Sequence, residues 1–327
     1  MNNKRLACVS LPADAYTLSR YCGAKELESF YRAFGLDGLE LILCGELDTA
    51  KIRRRMARGL HAVFYPGWID LWRGDYARLK MEFGERACWE RFFGVKDRAG
   101  LIARFRHDFD AAEALGVEYV VFHVSDAALE EYFTMRFSRA EDEIVFETCE
   151  LVNAITQGRA YGFELLFENV WGGGLTLTRP RAARALIEGV KFEKKGFMFD
   201  TGHMMITNPA LKTEREAANY IENVFEAHGE LKPLFRGMHL HRSLTGAYAM
   251  RTAASPPRME REYFARYAQA YAHLSRIDPH LPFETGAARR IAERIKPAYL
   301  THELTWHGED AYRAALSTQC RALEEEG

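Results

Sequence analysis

What the chain lacks narrows its class before any motif is considered. Its six cysteines, at 8, 22, 44, 88, 149 and 320, include no C-x-x-C pair. Several, such as Cys8 and Cys44, sit inside apolar runs, so reduced core thiols of a cytoplasmic protein are expected rather than a disulfide framework. No apolar run approaches the length of a membrane span. The opening MNNKRLACVSLPADAY carries early basic residues, but its apolar part is too short for a signal peptide. An excess of one charge is missing as well. The 44 Lys and Arg against 46 Asp and Glu leave a net charge of -2, which sets up no field to gather nucleic acid from a distance. No G-x-G-x-x-G turn follows the first apolar run, and no repeat, linker or low-complexity segment divides the chain. What is present is 327 residues with 48% hydrophobic and 13% aromatic content. That is material for a large core, and one domain over residues 1–327 is expected.

The apolar runs are short, continuous and regularly spaced. Strands are predicted over 6–11, 39–45, 61–68, 117–126, 161–171, 196–203, 235–242 and 298–304. Helix-like stretches alternate with them over 25–34, 48–59, 96–116, 138–158, 179–189, 213–229 and 310–325. Runs that do not alternate in and out suit strands covered on both faces, as in a parallel sheet. Eight such units predict an α/β protein of the (β/α)8 TIM-barrel class; a doubly wound open sheet is the rival. Two long excursions, 66–96 and 243–285, follow strand ends on the face where barrels build their sites, and are expected to act as lids or substrate walls.

Four of the apolar runs end on a potential metal ligand: Glu168 in ELLFENVW, Asp200 in GFMFDTGH, His239 in FRGMHLHR and Glu303 in AYLTHELTW. A buried strand does not tolerate a lone carboxylate, because desolvating an unpaired charge is costly. Four strand-end ligands in ring order imply a shared counter-charge. Three carboxylates and an imidazole suit Mn, Co, Mg, Fe or Zn, with a lean toward the harder ions. His123 ends the fourth run. His203 follows Asp200 by three positions, and His241 shares a strand face with His239. Asp278 and His280 form a D-x-H pair in IDPHLP. Arg242 could hold an anionic substrate or pair with Asp278. Tyr65, Trp68 and Trp72 are packing residues or, alternatively, a surface on which a ligand stacks.

The pieces FHVSD, LLFENVW, FDTGH, MHLHRS, IDPHLPFETG and LTHEL together resemble the xylose isomerase-like barrel superfamily. That group includes sugar isomerases and epimerases and the endonuclease IV type of DNA-repair enzyme. The resemblance implies that Glu168, Asp200, His239 and Glu303 hold a metal, and that His203 contacts substrate oxygen in an epimerase. In a repair endonuclease it implies zinc at the same four positions, with His123, His203, Asp278 and His280 holding further ions. Three departures from the endonuclease pattern stand out: the interval from His239 to Asp278 is long, no cluster of phosphate-steering basic residues is evident near the site, and an early histidine is out of place. The endonucleases carry a histidine at the end of an early strand, and here His61 begins the predicted run HAVFYPGW, so it is expected at the wrong end of the barrel.

The leading expectation is therefore a divalent-metal-dependent isomerase or epimerase of a sugar-like, small polyhydroxylated substrate, phosphorylated or not. Glu168 and Glu303 would exchange a proton on the carbon beside a carbonyl, with His123, His203, His241, Arg242 and Trp68 around the substrate. Each glutamate must then keep one oxygen free. Zinc-dependent hydrolysis of phosphodiesters in abasic DNA is the alternative, and a non-catalytic metal-binding barrel is a third. Nucleic acid and membrane partners are not expected. Homo-oligomers formed through the loops after the strands are left open by the resemblance.

Overall fold

A computed structural model describes residues 6–44, 47–48, 50–305 and 308–325. Eight parallel strands close into a barrel in sequence order. They are β1 (Leu6–Pro12), β2 (Gly38–Ile42), β3 (Ala57–His61), β4 (Tyr119–His123), β5 (Glu164–Glu168), β6 (Lys195–Asp200), β7 (Phe235–Leu240) and β8 (Tyr299–His302). Helices between them cover the outside, as a parallel sheet requires. Their ends follow local rules. The Asp97 side chain accepts from Gly100 N at the start of the helix Arg98–Leu115, and Gly116 ends it at φ 67°, a left-handed conformation that costs glycine little. Thr213 and Glu216 form a capping box on Glu214–Ala227.

The barrel interior is filled by Tyr119, Val121, Leu166 and Met198, all buried. Gly59 leaves room for the Tyr119 ring, which a Cβ at that position would strike. Register then aligns the strand ends: His123 sits beside Glu168 and Asp200 beside His239. Among the described residues, no helix is long and apolar enough to cross a membrane.

Sequence and structure part company around the third strand. The expected helix over 48–59 is replaced, where described, by a short 3-10 turn at Arg54–Met56, and the strand follows at Ala57–His61 rather than 61–68. Thr49 of that helix and Gly45 of the second predicted strand lie outside the described residues. Apolar density misled here. The ladder partners are Gly59 with Tyr119 and His61 with Val121. In the richer run FYPGW, residues 64–67 are the loop beyond the strand, which turns at Gly67 (φ 66°) into the helix Trp68–Arg73. His61 therefore closes β3 at its carboxyl end instead of opening it. The first predicted strand stops one residue short of Pro12, and the other six run one to three residues too long at one or both ends. The D-T-G-H segment after Asp200 is already helical, in Thr201–Ile206. Cys8 and Cys149 are buried as expected, Cys88 and Cys320 are half-buried, and Cys22 and Cys44 are exposed.

Both excursions are built from helices: Trp68–Arg73, Tyr76–Phe83 and Arg86–Phe93 in the first, Gly246–Ala254 and Tyr263–Ile277 in the second. They pack against each other through Phe83 on Tyr263, with ring centroids 4.1 Å apart, and through Phe92 on Tyr263 and Tyr267 at 5.2 and 5.3 Å.

Candidate metal centre

The carboxyl ends of β3 to β8 bring nine acidic and imidazole side chains into three adjoining groups, and His241 makes a fourth with His280 and Glu303. His61, His123 and Glu168 make the first; Glu168, Asp200, His239 and Glu303 the second; His203, Asp278 and His280 the third. Within each group the potential ligand atoms lie within 4.8 Å of one another. Glu168 belongs to two groups at once. Its Oε2 is 3.2 Å from His61 Nε2 and 3.0 Å from His123 Nε2. Its Oε1 is 3.3 Å from both His239 Nδ1 and His203 Nδ1. His239 Nδ1 is also 2.9 Å from Glu303 Oε2. In the third group, Asp278 Oδ2 lies 3.0 Å from His203 Nε2 and 2.8 Å from His280 Nε2. The long interval between His239 and Asp278 is no obstacle, because the second excursion is two helices that return the chain to the mouth.

These residues fit bound cations on two independent grounds. Glu168 Oε1, His239 Nδ1 and Glu303 Oε2 are buried, point toward one another and make no hydrogen bond. Orphaned buried polar atoms are rare unless an ion or water satisfies them. The far side of the imidazoles is equally telling. Nδ1 of His61, His203 and His280 faces the carbonyl oxygens of Ala62 (2.9 Å), Asn169 (2.8 Å) and Glu303 (3.1 Å), respectively. His239 Nε2 faces Glu40 Oε2 at 3.1 Å. Donating from that nitrogen fixes the tautomer and leaves the other nitrogen's lone pair for a metal. His280 holds a left-handed backbone, φ 47°, a conformation that costs a non-glycine residue energy and clusters at functional sites.

The carboxylates and imidazoles favour one another's charged forms. Burial alone would favour neutral Glu168, but His123 and His239 outweigh it and hold the carboxyl well below the usual range. Asp200 and Asp278 are lowered against burial by neighbouring histidines in the same way. Burial disfavours charged His203 and His239, yet the surrounding carboxylates raise both well above the ordinary value.

Several contributors escaped the sequence reading. Glu40, wholly buried in β2, accepts from the hydroxyls of Tyr119 (2.8 Å) and Thr301 (3.0 Å) besides facing His239. A carboxylate inside the apolar run GLELIL was its signal. Asn169 Oδ1 accepts from Asp200 N at 2.8 Å, and its amide donates to Asp200 O at 3.1 Å. Asp200 in turn caps Thr201–Ile206 by accepting from His203 N at 2.6 Å.

Other expected residues lie elsewhere. Trp68 is 4% exposed and donates Nε1–H to Ser125 O at 2.7 Å; it braces the wall and does not line the cleft. Arg242 pairs with Glu284 at 2.7 Å and Glu214 at 3.4 Å, away from Asp278. His241 is buried and does not line the cleft; its Nε2 is 2.8 Å from Asp200 Oδ2, and it also lies within ligand reach of His280 and Glu303. Tyr65 and Trp72 pack, the first donating to Phe93 O at 3.2 Å and the second lying under the Arg98 guanidinium.

Comparison with curated proteins returned no match. Among solved structures, endonuclease IV from Thermus thermophilus superposes with a TM-score of 0.53 at 17% identity, covering 98% of this chain and 99% of that one. An L-ribulose 3-epimerase superposes at 0.51 and 11% identity, covering 98% and 95%. Such identities speak for the fold alone. The sequence model of the xylose isomerase-like TIM barrel family matches residues 31–317, and with the closed eight-stranded barrel it shows that this chain belongs to that family.

Proposed function

We propose that this protein is a multi-ion metallohydrolase of phosphate esters. The observation that carries the reading is Glu168, approached by His61 and His123 on one oxygen and by His239 and His203 on the other. Two histidines and one carboxylate form both the first and the third group. That is a ligand set of catalytic zinc and iron sites, which keep a position open for water or substrate. The nine residues would hold up to three ions, with Glu168 offering oxygens to two of the groups; zinc is the ion we assign. When bound, such ions supply Lewis-acid stabilisation to a phosphoryl group and lower the pKa of water.

The chain's own residues do the rest. Glu40, Asn169 and His241 hold His239 and Asp200 in place from behind. Phe64 stacks on His123 with ring centroids 4.4 Å apart, and Trp171 lies 4.9 Å from His203, so apolar surface borders the ligands and limits the water beside them. In hydrolysis, water forms one P–O bond as the bond to the leaving oxygen breaks. The water's proton ends on the leaving group, and nothing is oxidised or reduced.

Metal-dependent isomerisation is the second reading, favoured by family membership and by Glu303 beside His239. It asks Glu168 and Glu303 each to keep a free oxygen for the proton. Glu168 has an imidazole within 3.3 Å of both oxygens, which weighs against that exchange. Zinc-reconstituted protein should retain two or three ions per chain by elemental analysis and hydrolyse bis(p-nitrophenyl) phosphate. One ion per chain, with solvent deuterium entering a ketose, would overturn the hydrolase reading.

A further inference from the structure

The three ligand groups open onto a cavity of about 590 Å³, within the size range of small-molecule pockets. Its floor and its walls differ sharply in chemistry. The floor carries His61, His123, Glu168, His203, Asp278 and His280. The rim carries Tyr16, Phe64 and Tyr271, exposed by 75%, 52% and 64%. Exposed aromatic rings scattered singly need no explanation, but three converging on one cavity mark a binding surface. The wall behind Tyr271 is firm, because its helix Tyr263–Ile277 is locked onto the first excursion by the Phe83, Phe92, Tyr263 and Tyr267 rings.

Cations are scarce. Among the described residues lining the cavity, Arg20 is the one lysine or arginine, and it lies over the Tyr16 ring at 4.6 Å. A protein that grips duplex nucleic acid neutralises several phosphates with basic side chains. This cleft offers one such group, and the whole chain has a net charge of -2.

We propose that the substrate is a small phosphate ester bearing a flat aromatic group, of nucleoside size, and not a nucleic-acid duplex. Its phosphate faces the ligand floor, and its ring lies against Tyr16, Phe64 and Tyr271. Stacking on such rings tolerates many ring types. This inference rests on the phosphate-ester reading, which supplies the chemistry at the floor.

Calorimetry on the zinc-loaded full chain separates the two ideas, with phenylphosphonate and methylphosphonate as probes. Phenylphosphonate should bind on the order of tenfold more tightly, the scale of one aromatic stacking contact. Tyr271→Ala and Tyr16→Ala should each shrink that preference with zinc content unchanged, while Tyr271→Phe keeps it. Equal affinity for both probes in the unmodified protein overturns the aromatic-substrate proposal and leaves the hydrolase reading standing. So does cleavage of an abasic duplex with a higher kcat/KM than bis(p-nitrophenyl) phosphate. Failure of both probes to bind a fully zinc-loaded chain removes the phosphate-ester reading, and this proposal with it.

Discussion

His61 Nε2 lies 3.2 Å from Glu168 Oε2, across 107 residues of chain. His61 ends β3 and Glu168 ends β5, with His123 of β4 between them. This contact sets a second imidazole on Glu168 Oε2, where His123 Nε2 already lies 3.0 Å away, and completes the first group of potential ligands.

Ion content should follow the sharing of Glu168 between two groups. His61→Ala is expected to lower bound zinc by roughly one ion per chain, since it strips the first group of one of three ligands. Glu168→Gln should lower it by roughly two, because both the first and second groups lose their shared carboxylate. Elemental analysis of variants with unchanged circular dichroism checks both. Equal losses in the two variants would rule out that sharing.

Glu40 is expected to act on the metal without touching it. Its carboxylate faces His239 Nε2 and takes the Tyr119 and Thr301 hydroxyls. Glu40→Gln should weaken zinc at the second group by about 10- to 100-fold, the usual cost of losing an outer partner of a ligating histidine. Competition against a chromophoric chelator reads that affinity. An unchanged affinity would show that His239 needs no support from β2.

Chelator-treated protein should lose stability on the alkaline side. Burial pulls the His280 pKa down, but Asp278 and Glu303 outweigh it and raise it from 6.5 to about 9. Burial likewise opposes, and Glu168 overcomes, a raised value at His61. A raised folded-state pKa stabilises the fold fully below 6.5 and loses that contribution as pH climbs through about 9. Zinc binding needs neutral imidazoles and releases those protons, so affinity should rise over the same interval. Melting curves from about pH 6 to about pH 9.5, with chelator and with zinc, should therefore diverge as pH increases. Parallel curves would count against protonated histidines as the stand-in charge.

Gly202→Ala tests the support behind Asp200. A Cβ at this position would run into the His241 ring, whose Nε2 is 2.8 Å from Asp200 Oδ2. Overpacking of this kind costs about 1–3 kcal/mol and should displace His241, lowering both the urea midpoint and zinc content. A variant with unaltered midpoint and full zinc would show that the ring has room to move.

The sequence by itself determined the alternation of short apolar strands with helices, because covering both faces of a parallel sheet leaves that pattern in any sequence that folds this way. It also marked Glu168, Asp200, His239 and Glu303, since a carboxylate or imidazole ending an apolar run is costly unless compensated. Only the tertiary structure decided the role of His61. Five residues containing Gly59 form β3, while the more apolar FYPGW is loop up to a helix start at Trp68, and local hydrophobicity ranks those two segments the wrong way round. Glu40 and the rim of Tyr16, Phe64 and Tyr271 were hidden for a related reason. Barrel closure joins β2 to β7 through a side chain, and folded excursions join distant segments of chain, so what these residues do depends on neighbours that no nearby stretch of sequence contains.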